Sequence, residues 1–364
     1  MTYNNPHGGD LKAAAGKYGR PEKDWLDFSA SINPLGPSPA VARAVQEEFW
    51  RVMHYPDPYC RELTGQLAAY LGLPPEYLLT GNGAAELIYL LPRALRISRA
   101  LVVAPTFSLY ARSVEAGGGR VDYFLTEPAG GFEPVLDKLA ARLAGYDALY
   151  ICNPNNPTGV LLSPDKLQWL AGRAAEAGCF LVVDEAFIDF VPEPPESSLL
   201  PVLPRQERMI VLYSLTKFFA LPGLRLGAVA AAPPLLAQLR RVKDPWSVNA
   251  LAQVAALAAL GDGEHIQASR QAMAHLRRHL TGLLSSLPGL KVWPTTANFV
   301  LLQLEQPGLT ADVFTDALAR RGVLVRNAAN FAGLDDKYIR VAVRSEEENA
   351  VLCRAMQEVL AANA

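Results

Sequence analysis

The chain has 364 residues, 50% of them hydrophobic, and sets 34 basic against 36 acidic side chains for a formal net charge of -2. That length supports a large buried core in one or two domains, and so balanced a charge leaves no electrostatic footprint for nucleic acid or an anionic membrane. No apolar run reaches the ~18 residues of a membrane span. The opening MTYNNPHGGDLKAAAG carries no apolar run of signal-peptide length, so a soluble cytoplasmic protein is expected. Cys60, Cys152, Cys179 and Cys353 are scattered without a CxxC pair, and reduced core residues are the expectation.

In chain order, residues 1 to 45 are rich in Pro and Gly turns and are expected to pack on a smaller domain or to cross the domain interface. From about 80 to 232, short β-branched runs alternate with helical patterns. The strands are LVVAPTF (101–107), VDYFL (121–125), ALYICNP (148–154), FLVVDEAF (180–187), MIVLYSL (209–215) and LGAVAAA (226–232). Several are apolar on both faces, as strands covered on both sides by helices must be. Helical patterns at 84–95 and 163–178 lie between them, and the alternation predicts an α/β fold with a mostly parallel sheet. VPEPPESSLLPVLP (191–204) is too apolar for a free linker and reads as an ordered surface loop. Beyond 245 come long helices, strands at 297–304 and 338–343, and a last helix opened by a Ser345/Glu348 capping box. The expected division is a large α/β domain over 46–240 and a smaller α+β domain made of 241–364 with the segment 1–45.

Five stretches carry candidate chemistry. TGNGAAEL (80–87) is a glycine-rich turn opening a helix; Glu86 replaces the third glycine of a dinucleotide fingerprint, but the N–H groups at Gly83, Ala84 and Ala85 still suit an anion. A plain strand–turn–helix connection would look similar. NPNNPTG (153–159) stiffens a loop with two Asn-Pro pairs and sets Asn153 and Asn156 up as amide donors. DEAF (184–187) places Asp184 at the carboxyl end of a buried strand, where open α/β sheets bind ligands; a buried aspartate there needs a cationic partner, unless it is only a helix cap. In SLTKFFALPGLRLG (214–227), Lys217 sits among apolar residues. Such a lysine is either an amine with a lowered pKa, able to attack a carbonyl, or a surface side chain lying along an apolar patch. Arg225 follows in the next turn, suited to a phosphate. Arg340 and Arg344 in RVAVR share a face if this is a strand, and would suit a substrate with two anionic groups; surface decoration is the alternative. His275 and His279 lack the intervening glutamate of a HExxH zinc site and read as a solvated helix face.

GNGAAE, PTFSLY, NPNNPTG, DEAF, SLTKFF and PGLRLG, in this order, resemble the pyridoxal-phosphate enzymes of the aspartate aminotransferase fold, fold type I. The resemblance implies that Lys217 is the Schiff-base lysine and that Asp184 holds the pyridine nitrogen protonated. Asn156 would donate to the ring oxygen and Phe107 would stack on the ring. Gly83, Ala84, Ser214 and Arg225 would cradle the cofactor phosphate. Tyr55 would reach the cofactor phosphate of a neighbouring subunit, implying a homodimer, and Arg340 would bind the substrate carboxylate. Many relatives carry tyrosine three residues after the aspartate, where this chain has Phe187. HGGD, DFSASINPLGP, DEAFIDF, DPWSVNALA and RVAVRS look more like the threonine-phosphate decarboxylases of cobalamin biosynthesis than like the histidinol-phosphate aminotransferases, which remain the alternative. For a substrate phosphate the candidates are Arg344, Arg326, Asn33 and His7. Serine phosphate stays open as a substrate, because one methyl group is worth only ~1–3 kcal/mol of discrimination. A pyridoxal-phosphate-binding regulator without chemistry would carry an added DNA-binding domain, of which the chain shows no pattern.

Overall fold

The computed structural model describes residues 8–363. A two-residue strand, β1 (Leu26–Asp27), lies in the N-terminal segment. Seven strands then build the main sheet: β2 (Leu78–Gly81), β3 (Arg99–Ala104), β4 (Arg120–Leu125), β5 (Ala148–Cys152), β6 (Phe180–Asp184), β7 (Met209–Ser214) and β8 (Gly227–Ala231). Their spatial order is β2-β8-β7-β6-β5-β3-β4, and β8 alone runs against its two neighbours. Both faces are apolar, and alternation divides them. Val102, Tyr150, Val182, Ile210 and Leu212 pack under the helices Gly83–Leu95, Leu109–Ala116 and Pro233–Val242. Leu101, Leu149, Leu181, Val183 and Val211 face the helix Pro164–Glu176. Strict period-two alternation with no polar face is what two helical layers demand of a sheet.

The C-terminal part holds β9 (Leu290–Val292), β10 (Phe299–Leu304), β11 (Val323–Leu324), β12 (Arg326–Asn327) and β13 (Tyr338–Ala342). Four of them form an antiparallel sheet ordered β12-β13-β10-β9. Strand β1 pairs in parallel with β11, which ties the N-terminal segment to this part of the molecule. The capping box forms as expected: Ser345 Oγ accepts from Glu348 N, and the Glu348 carboxylate accepts from Ser345 N. The 191–204 segment is ordered, with a turn of helix at Pro194–Ser197 and a 3-10 stretch at Leu200–Arg205 that buries Leu200 and Leu203. All four cysteines are buried and free. Among the described residues, no helix is long and apolar enough to cross a membrane.

Candidate active site

The parallel strands β5, β6 and β7 end at one edge of the main sheet, and their last residues are Cys152, Asp184 and Ser214. A cavity of about 280 Å³ opens there, lined in part by Asp184, Lys217, Asn156, Phe107, Arg225 and Arg340. The sheet thus supplies what the sequence positions alone imply: loops leaving adjacent strand ends converge on a crevice.

Asp184 is buried at 4% exposure, and both of its carboxylate oxygens are engaged. Oδ1 accepts from Ala186 N at 3.0 Å and Oδ2 from the Tyr110 hydroxyl at 2.6 Å. Burial pushes its pKa up, while Tyr110, Ala186 N and the charge of Lys217 pull it down. Half-buried Lys217 also lines the cavity. Desolvation, with help from the positive charges of Arg340 and Arg225, lowers its pKa to about 8 from the usual 10.5. An amine so tuned is neutral in an appreciable fraction near pH 7 and can act as a nucleophile.

Arg340, in the middle of β13, is buried at 6% exposure. Its Nη1 donates to Asn156 Oδ1 and its Nη2 to the backbone oxygen of Ser29 at 2.8 Å, while Nε is buried without a partner. Because Asn156 turns its oxygen to Arg340, its amide N–H2 is the end left for an acceptor in the cavity. Half-buried Arg326 lines the same cavity; its Nη1 donates to the Asn327 carbonyl and its Nη2 to Asn330 Oδ1 at 2.6 Å. Burial, then the like charge of Arg326, pushes Arg340 down to about 9, and burial pushes Arg326 down to about 10. Among the described residues, none of Lys217, Arg225, Arg326 and Arg340 has a carboxylate within salt-bridge distance. Four cationic groups around one aspartate describe a site built for anionic ligands.

At one end of the cavity the helix Gly83–Leu95 begins without a side-chain cap. Gly83 has φ +74, and a Cβ there would meet the Arg225 guanidinium at 2.7 Å. Glycine therefore lets the arginine close over the helix start, beside Ala84 N–H and the Ser214 hydroxyl at the end of β7. N–H groups of a helix's first turn, a hydroxyl and a guanidinium are the kinds of group that suit a phosphate. Phe107 lies on the cavity wall, and Phe187 packs edge-on against Phe299 with ring centroids 5.0 Å apart.

Three candidates do not join this group. Arg344 lies beyond the end of β13, in the turn before the helix Glu346–Ala362, so the same-face expectation fails. Its guanidinium donates to Glu348 at 2.8 Å and to the Asp27 carbonyl at 3.4 Å, away from the cavity. Asn33 is likewise a strut: its amide donates to the Phe218 carbonyl at 2.9 Å and to Ser269 Oγ at 2.8 Å. Tyr55 is 82% exposed and rests against Trp246, with ring centroids 5.1 Å apart. His7 lies outside the described residues. Conversely, sequence reading passed over Tyr110, although PTFSLY contains it, because only the packing of its helix brings the hydroxyl to Asp184. It also passed over Ser29, whose carbonyl anchors Arg340.

The model of the aminotransferase class I and II family matches residues 23–356. The chain belongs to that family. A threonine-phosphate decarboxylase from Salmonella typhimurium is 38% identical over 359 residues, covering 98% of this chain and 97% of the relative. A histidinol-phosphate aminotransferase from Moorella thermoacetica is 36% identical, covering 93% of this chain and 86% of the relative. The crystal structure of histidinol-phosphate aminotransferase from Clostridium acetobutylicum superposes with a TM-score of 0.86 at 28% identity, covering 92% of this chain and 98% of that one. The fold is accordingly the aspartate aminotransferase type, with the cavity at the carboxyl edge of its large sheet.

Proposed function

We propose that this class I and II aminotransferase family member is a pyridoxal-phosphate enzyme that decarboxylates L-threonine O-3-phosphate to (R)-1-amino-2-propanol O-phosphate and CO2, a step of cobalamin biosynthesis. The observation that carries the reading is the cation-rich cavity. Arg225 at the helix start suits a cofactor phosphate, and Arg326 and Arg340, with no carboxylate in salt-bridge range among the described residues, suit the two anionic ends of a phosphorylated amino acid. Similarity at 38% over nearly the whole chain to a threonine-phosphate decarboxylase supports the choice of substrate.

The cofactor fits the residues present, since glycine at 83 leaves the space that Arg225 occupies and the cavity wall includes a buried aspartate, the partner a protonated ring nitrogen would need. When bound, pyridoxal phosphate supplies an electron sink conjugated to the substrate's Cα. Gly83, Ala84, Ser214 and Arg225 would hold its phosphate, Asp184 its ring nitrogen, Asn156 its ring oxygen and Phe107 its ring face. Lys217 would hold the aldehyde carbon. Arg340 would grip the substrate carboxylate and Arg326 its phosphate. Two fixed ends set the torsion about Cα–N, and so decide which Cα bond stands perpendicular to the ring. For decarboxylation that bond must be the one to the carboxylate. With its amine not engaged, Lys217 would also be the group in the cavity suited to return a proton to Cα.

The chain would work as a homodimer. Phe49, Trp50, Met53, Tyr55, Tyr59 and Trp246 are large side chains at least half exposed, clustered in one short stretch and a neighbouring turn. A second copy is the occupant such a face suits, and Tyr55 would then reach the partner's cofactor phosphate.

A paired assay tests the reading. CO2 should appear from threonine phosphate with no keto acid present, and histidinol phosphate should not be converted when 2-oxoglutarate is supplied. The reverse result would make the chain an aminotransferase. Loss in Lys217→Ala of the reducible cofactor absorbance band checks the lysine; its persistence would reassign that residue.

A further inference from the structure

Among the described residues Asp184 has two hydrogen-bond donors, and they differ in kind. Ala186 N–H comes from the aspartate's own turn. The Tyr110 hydroxyl comes from a separate helix, Leu109–Ala116, and reaches Oδ2 at 2.6 Å. Tyr110 is 1% exposed and held from two sides. Its ring stacks on Tyr150 at 5.7 Å and 21°, and it meets Phe107 edge-on at 5.7 Å and 80°. A buried phenol fixed between two rings has little freedom, and its hydroxyl meets Asp184 Oδ2 and, beside it, the Cys152 thiol.

The charged and titratable groups facing Asp184 are few. Lys217 comes from the β7–β8 connection, Tyr110 from its helix, Cys152 from the end of β5, and Glu185 is the next residue along the chain. Burial pushes the Cys152 thiol up to about 12, so it stays neutral. Burial and the neighbouring carboxylate raise Tyr110 well above its usual range, so it stays a donor. Arg340 and Arg225 act on Lys217.

A carboxylate beside a pyridine nitrogen in a dry site has two ways to place one proton. Either the ring keeps it, as a pyridinium–carboxylate ion pair, or the acid takes it and both become neutral. Desolvation favours the neutral pair, and a donor to the carboxylate favours the ion pair. We propose that Tyr110 is a positioning residue that holds Asp184 ionised and so keeps the proton on the cofactor's ring nitrogen. This rests on the reading that the cavity holds pyridoxal phosphate, and it adds a residue to that cofactor's electronic control. It makes no claim on which Cα bond breaks.

The test uses full-length protein loaded with pyridoxal phosphate labelled with nitrogen-15 in the ring, and reads the ring-nitrogen chemical shift without substrate. Wild type gives a pyridinium-like signal, and Tyr110→Phe, which keeps the stacking ring, moves it toward neutral pyridine. With threonine phosphate, kcat of that variant falls about tenfold or more and KM changes less than about twofold. A neutral signal in wild type overturns the proposal. So does an unchanged signal in Tyr110→Phe, even if activity drops, because that pattern marks a role in packing alone. Should Tyr110→Phe fail to fold or to load, 4-aminophenylalanine at position 110 keeps the shape with a weaker donor. The signal then moves toward neutral pyridine, and no movement overturns the role. Wild-type protein that takes up no cofactor defeats the proposed function, whereas loaded variants with a fixed ring-nitrogen signal defeat the role of Tyr110 only.

Discussion

Lys217 shows how much one side chain's setting can demand. Its pKa of about 8 means that folding takes a charged amine out of water at neutral pH. Between pH 8 and 10.5 the unfolded chain keeps a proton that the folded chain has released, so apoprotein stability rises with pH across that window. Below the window the folded chain carries the whole penalty. Cofactor-free Lys217→Met is therefore expected to be more stable than wild type at pH 7 by about 3 kcal/mol. The gap should close as pH rises from 8 to 10.5, and denaturant midpoints of both proteins across that range check it. Arg326 makes a different prediction, because it acts on substrate. Arg326→Gln should raise KM for threonine phosphate about 10- to 100-fold, as loss of a charge-assisted contact does. The absorbance of bound cofactor should not change, and a shift in that band would move Arg326 from the substrate to the cofactor.

At the scale of elements, the start of the helix Gly83–Leu95 shows why a motif is more than its letters. Gly83 takes φ +74 and leaves room for the Arg225 guanidinium. Alanine there is strained by about 1 kcal/mol, and its Cβ pushes the arginine off the helix start. Gly83→Ala should weaken pyridoxal phosphate binding about tenfold or more, measured by fluorescence titration, while the unloaded variant keeps its helical circular dichroism. RVAVR is the converse case. Period-two reasoning put Arg340 and Arg344 on one face, but Ser345 caps the following helix and the strand stops at Ala342. Beyond that point the alternation has no meaning, and Arg344 pairs with Glu348. DEAF also held a surprise in its second acid. Glu185 is wholly buried and accepts from Ser198 Oγ at 2.6 Å and Leu199 N at 2.8 Å. It pins the ordered 191–204 segment to the end of β6, a bond between neighbours in space that no local spacing announces.

For the whole molecule, the exposed aromatic stretch around Tyr55 makes the strongest demand. Met53, 75% exposed, is close to the centre of that stretch in sequence and lies outside the proposed machinery. Met53→Glu should convert a dimer to monomers in sedimentation and, by withdrawing the partner's Tyr55, lower cofactor affinity. A monomeric wild type would remove the role given to Tyr55.

The sequence by itself determined the α/β layering, because strands with no polar face can only lie between helices. The order of its motifs, through resemblance to a known family, also singled out Lys217, Asp184, Asn156 and Arg225, where each local pattern alone left a plainer reading open. Only the tertiary structure decided which further side chains meet them. Tyr110 reaches Asp184 through the docking of a helix on the sheet, Ser29 reaches Arg340 across 311 positions, and Asn33 and Arg344 are drawn off to other partners. Such contacts depend on how layers register in three dimensions, and spacing along a chain carries no record of that.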